Sequence, residues 1–170
     1  IGQFFNFGTI KRLATNSRNL DSLLLITTKN FNNINQYLRD QERESLSVLL
    51  LTGGWLEALH IICQVVRENP DADALRERIG EQKIIIENIV LLLSLYKDMN
   101  PKFEDLHARM QKLKEEFQEI KIVRTYEEST FEEVDGIVTI KNKSKSEIKI
   151  TDENINKITE SIANIRKEVI

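Results

Sequence analysis

Two pairs of residues in this chain repeat a spacing that metal chemistry uses: Glu57 with His60, and Glu104 with His107. Residues three apart share one face of a helix. Carboxylate-bridged di-iron bundles hold their metal with two Glu-x-x-His pairs and one glutamate from each of two further helices. That set is incomplete here. The stretch from Asn19 to Leu38 contains no glutamate, and Glu104 stands one step past Phe103, turned away from the apolar stripe, with His107 at its edge. The expectation is therefore no metal and no cofactor. Glu57, His60, Glu104 and His107 are the candidates should the alternative, a carboxylate/histidine metal-binding bundle enzyme, hold.

Glu57 and His60 also interrupt the most apolar stretch of the chain, Ser45 to Val66. A buried carboxylate without a partner is costly. Two readings follow. One is a satisfied core pair, or a glutamate facing a seam between helices. The other is a ligand-facing polar spot inside a bundle. The first is preferred, and Glu57 and His60 stand as the possible ligand-facing residues. Beside them, Gly53-Gly54 sits in mid-helix, where each glycine costs about 1 kcal/mol relative to alanine. Close approach of a neighbouring helix, with Trp55 filling the adjacent space, is the expected compensation, and a bend is the other. Gly53, Gly54 and Trp55 are thus read as structural. No Gly-rich loop leads from a strand into a helix, which argues against a nucleotide site. Cys63, the one cysteine, lies among Ile61, Ile62 and Val65 and reads as a small buried hydrophobe. With two histidines, both on helices, no Ser/His/Asp or Cys/His set is arguable.

The elements that would position these residues follow from hydrophobic spacing. Ile1 to about residue 18 is a short apolar-rich opening in which Phe4, Phe5 and Ile10 pack. Asn19 is the expected cap of a helix carrying Leu20, Leu24, Thr27, Phe31, Ile34 and Leu38 on one stripe, with Asp21 in its first turn. A second helix is expected to start at Asp40, with Glu42 and Glu44 in its first turn. From Ser45 to Val66 it is apolar on every side, which makes it a central helix surrounded by neighbours or lipid. It stops at Asn69-Pro70. Asp71 or Asp73 caps the next, with Leu75, Ile79, Gln82, Ile86, Ile89, Leu93 and Tyr96 in line. Asn100-Pro101 opens a further helix whose Phe103, Leu106, Met110, Leu113, Phe117 and Ile120 keep an unbroken three-four rhythm. Ile137–Ile140 and Glu147–Ile150 are β-rich and flank residues 142–145, which predicts a small hairpin within 134–151. Thr151 caps a last helix over 152–169, with Ile155, Ile158, Ile162, Ile165 and Val169.

Composition limits the partners. At 41% hydrophobic and 30% charged residues, the 170-residue chain can fill a core, and wholesale disorder is excluded. A formal charge of -3 gives no global attraction to nucleic acid. Lys141, Lys143, Lys145 and Lys149 form a local basic cluster with no aromatic platform beside it. They are read as solvated lysines guarding a sheet edge. Ser45 to Val66 reaches the roughly 20 apolar residues that a bilayer span needs. Glu57, His60, Gln64 and the glycine pair near its middle argue against insertion.

The stretch Leu51-Thr-Gly-Gly-Trp-Leu-Glu-Ala-Leu59 resembles one in the central helix of a group of helical-bundle envelope lipoproteins of unknown function from Bacteroidetes bacteria. The Asp21 to Leu24 run and the close of the last helix, Ile165 to Glu168, resemble the same group. The resemblance implies a setting and no activity: the cell envelope, on the periplasmic side, with membrane attachment only through an N-terminal lipid anchor lying before Ile1. It also implies that Gly53, Gly54, Trp55 and Glu57 are family features of structural purpose.

The combined expectation is one domain over 1–170: an all-α, antiparallel bundle of about five main helices with a small β-hairpin before the C-terminal helix. The function expected is that of a non-enzymatic, envelope-associated binding or structural module that forms a homo-oligomer or acts singly. A cytosolic helical interaction protein, assembling through the Phe103 to Ile120 stripe, is the further alternative.

Overall fold

A computed structural model describes residues 20–127, 130–134, 137–141 and 145–169, with Gly8 and Lys11. The expected packing of Phe4, Phe5 and Ile10, the Asn19 cap, and the side chains of Leu20, Asp21 and Leu24 lie outside what is described. The fold is all-α, with a small antiparallel hairpin before the C-terminal helix. Its helices are α1 (Leu20–Asp40), α2 (Glu44–Glu68), α3 (Asp73–Ser94), α4 (Pro101–Gln118) and α5 (Asp152–Val169), with a 3-10 turn at Lys97–Met99. The strands are β1 (Lys121–Thr125), β2 (Thr130–Val134), β3 (Ile137–Lys141) and β4 (Lys145–Lys149). The chain divides into two compact units, Ile1–Gly53 and Gly54–Ile170, whose boundary falls within α2.

In the first unit Ile34 and Leu38 are buried, as the α1 stripe predicts, and so is Val48 of α2, whereas Phe31 on the α1 stripe is exposed. The break between the helices differs from expectation. Asp40 is the last residue of α1, Glu42 is in the turn, and α2 begins at Glu44. The reason is a left-handed C-cap. Glu42 takes φ 54°, its N–H donates to Arg39 O at 2.9 Å, and the Arg43 N–H donates to Leu38 O at 2.8 Å. This crossed pair of bonds satisfies the last carbonyls of a helix, normally with glycine at the left-handed position.

The second unit is an antiparallel helical array. Lys83 of α3 meets the C-terminal end of α4, donating to Gln118 O and Ile120 O, while Tyr96 meets Phe103 at the opposite ends. Likewise Glu119, the C-cap of α4, meets Lys157 near the start of α5, and Arg109, midway along α4, meets Glu168 near the end of α5. The core is built from the predicted stripes. Ile79, Ile86, Ile89 and Leu93 of α3 are buried, as are Phe103, Leu106, Met110, Leu113, Phe117 and Ile120, and Ile155, Ile158, Ile162 and Ile165 of α5.

The caps explain where these helices start. Asn100 Oδ1 accepts from the Lys102 and Phe103 N–H groups at 3.0 and 3.2 Å, with Pro101 at the first helical position. Thr151 Oγ1 accepts from Asn154 N–H while Asn154 Oδ1 accepts from Thr151 N–H, a reciprocal cap for α5. The expected carboxylate cap of α3 is absent. Ala72 occupies the cap position without a side-chain bond, and Asp73 contributes only first-turn charge.

The strands pair otherwise than the sequence suggested. β3 pairs with β2, Phe131 opposite Ile140 and Val134 opposite Ile137, while β4 pairs with β1, Ile122 opposite Ile148. The expected direct pairing of 137–140 with 147–150 does not form. Val134 opposite Ile137 brings the two strands into register with two residues between them in sequence.

Candidate functional site

Glu57 projects from α2 toward α5. Arg166 Nε donates to its Oε1 at 2.6 Å and Arg166 Nη2 to its Oε2 at 3.0 Å. Two parallel N–H···O bonds between planar groups are the strongest form of ion-pair contact. The side chains are half-buried, 42% exposed for Glu57 and 31% for Arg166. The Arg166 hydrogen bond holds the Glu57 carboxyl below the usual carboxylate range, opposed by partial burial and aided by the charges of Arg166 and His60. The geometry thus places Glu57 in a seam between helices, with a partner that is Arg166 and not His60. His60 Nδ1 is buried and has no hydrogen-bond partner among the described residues.

Glu104 is exposed and His107 half-buried on α4. Among the described residues no group of three or more His, Cys, Asp or Glu side chains comes together as a metal would require. The two Glu-x-x-His pairs are therefore not assembled into one cluster. Cys63 is fully buried, as expected, and burial pushes its thiol up despite a hydrogen bond with Thr159. A thiol so placed is a poor nucleophile.

The glycine pair departs from expectation. A Cβ on Gly53 or Gly54 would meet nothing within 4 Å among the described residues, so no neighbouring backbone explains them. Trp55 does join helices. Its Nε1 donates to Gln82 Oε1 of α3 at 2.9 Å, and its ring lies 6.5 Å from Phe117 of α4, tilted by 46°. The glycine that close packing does require is Gly80, which sequence reasoning overlooked. It is buried, and a Cβ there would collide with Ile148 of β4 and touch Ile120. Its signal was present: a glycine beside Ile79, inside a buried stripe.

The inward face of α2 comprises Thr52, Leu56, Leu59, Cys63 and Val66. The opposite face is exposed. Ala58, Ile61 and Val65, with Leu51 on the same stripe, recur at helical spacing, and Ile61 is 59% and Leu51 52% exposed. A helix apolar on every side thus has one side covered and one open, where full enclosure was expected. α2 is also, among the described residues, the helix long and apolar enough to cross a membrane. Its inward face is packed on bundle neighbours, and its mid-helix carboxylate is paired with Arg166. A concavity of about 300 Å³ lies at one end of the second unit between Val66, Pro70 and Ile155, beside the Arg76–Asp152 ion pair.

No known protein family, curated protein or solved structure matches the chain.

Proposed function

We propose that this protein is a non-enzymatic helical binding or structural module of the cell envelope, held there by an N-terminal lipid anchor. The setting rests on the Gly-Gly-Trp-Leu-Glu-Ala-Leu stretch at 53–59 and its likeness to Bacteroidetes envelope lipoproteins. The binding role rests on one observation: the open stripe of α2, with Ile61 and Val65 in water and no charged residue on it between Glu44 and Glu68. Exposed contiguous apolar surface of this kind marks interaction sites. The side chains that would serve chemistry are committed elsewhere, Glu57 to Arg166 and Cys63 to the core.

The test is a photo-crosslinking residue placed at Ile61 in cells expressing the full-length gene, with Glu115, exposed and polar, as the control position. The reading expects a discrete adduct from position 61 alone, recovered with the membrane fraction. Equal labelling at both positions overturns the binding role, and recovery in the cytosol overturns the setting.

A further inference from the structure

We propose that Glu116, bonded to Ser161 between α4 and α5, forms a protonation-sensitive clasp whose seam is firmer when Glu116 takes up a proton, because the relief of burial outweighs the weakened Ser161 bond. Ser161 Oγ donates to Glu116 Oε1 at 2.5 Å. The other oxygen, Oε2, is buried and has no hydrogen-bond partner among the described residues. An ionised carboxylate accepts at both oxygens, and a buried oxygen left without a donor keeps its charge poorly stabilised. The neutral acid relieves that penalty while Oε1 continues to accept from Ser161.

The surrounding charges do not cancel the effect. Lys157 and Glu160 act on Glu116 from α5 and Glu119 from its own helix. Lys157, the cation among them, already serves Glu119 at 3.2 Å and Glu153 at 3.1 Å. Burial therefore pushes the Glu116 carboxyl above the usual carboxylate range, with Ser161 and Lys157 pulling the other way and the two glutamates adding to the rise. Glu57 and Asp105 move oppositely, each held down chiefly by a hydrogen bond from arginine.

The sign of the effect follows. The folded chain keeps the Glu116 proton to a higher pH than the unfolded chain does. Stability from this group is complete below the unfolded value and is lost as pH rises through the folded one. The α4–α5 seam is thus firmer in mild acid than at neutrality.

Carboxyl-carbon NMR titration of the wild type, with urea unfolding of wild type and Glu116→Gln from about pH 5 to about pH 7, tests this. The Glu116 midpoint is expected above the ordinary glutamate value. The wild-type folding constant relative to Glu116→Gln should fall with rising pH, by up to about tenfold for each unit separating folded and unfolded midpoints. Ser161→Ala removes a donor to the ionised form and should move the midpoint higher still. A Glu116 midpoint at or below the ordinary value, or a ratio flat with pH, overturns the clasp. Should Glu116→Gln fail to fold, the Ser161→Ala titration decides, and an unmoved midpoint overturns it.

Discussion

Gly80 on α3 lies directly beneath Ile148 of β4, so close that a methyl group on the glycine would occupy the space of the isoleucine Cγ2. This contact, with Ile120 beside it, seats β4 on α3. Gly80→Ala should gain the helix-propensity difference of about 1 kcal/mol yet lose about 1–3 kcal/mol to overpacking. A net loss is expected because the glycine is buried, and Gly80→Val should lose more. Urea unfolding midpoints decide, and a stabilised Gly80→Ala variant refutes the contact.

The opposite outcome is expected at Gly53 and Gly54. Both are exposed in mid-helix with open space around them. Alanine at either should stabilise by up to about 1 kcal/mol. Thermal unfolding of each single variant measures this. Destabilisation would mean that something covers the pair in solution.

Removing Arg166 should release the Glu57 carboxyl. In Arg166→Ala the Glu57 titration midpoint should rise toward the ordinary glutamate value, read by carboxyl-carbon NMR. The stabilising share of the pair is present above the unfolded value and lost as pH falls through the folded one. Wild type and variant should therefore differ most near neutrality and converge in acid. Arg166→Lys should recover only part of the effect, because an ammonium cannot make the two-pronged contact.

Glu42 carries the left-handed turn between α1 and α2 at φ 54°. A side chain in that region costs about 1–2 kcal/mol relative to glycine. Glu42→Gly should offset much of that, less the entropy glycine loses on folding, and raise the unfolding midpoint. A lowered midpoint argues against the cap.

What the sequence disclosed and what it hid divide along a physical line. Spacing tells which side of a helix faces inward, so every predicted core position from Phe103 to Ile120 is buried. Local chemistry tells where a helix can begin, and Asn100-Pro101 and Thr151 behave as their types dictate. Spacing does not name the neighbour. Arg166 lies 109 positions from Glu57, and nothing local links them. The Glu42 turn went unread because a glutamate is an unusual occupant of a left-handed cap. The strand pairing was hidden because the true partners, Lys121–Thr125 and Thr130–Val134, are not marked as strands by spacing. The open stripe of α2 was hidden for a related reason: uniform apolarity says that a helix wants cover and not how much of it the fold supplies.

The position of Trp55 has a practical consequence. It is the one tryptophan of the chain, its indole N–H is tied to α3, and its ring leans on Phe117 of α4. The protein therefore carries an intrinsic optical gauge that sits wholly within the second unit. Emission should shift to the red when that unit opens, with no label attached. Events confined to α1 should pass without a change in colour, so that fluorescence and circular dichroism followed together would time the two units separately.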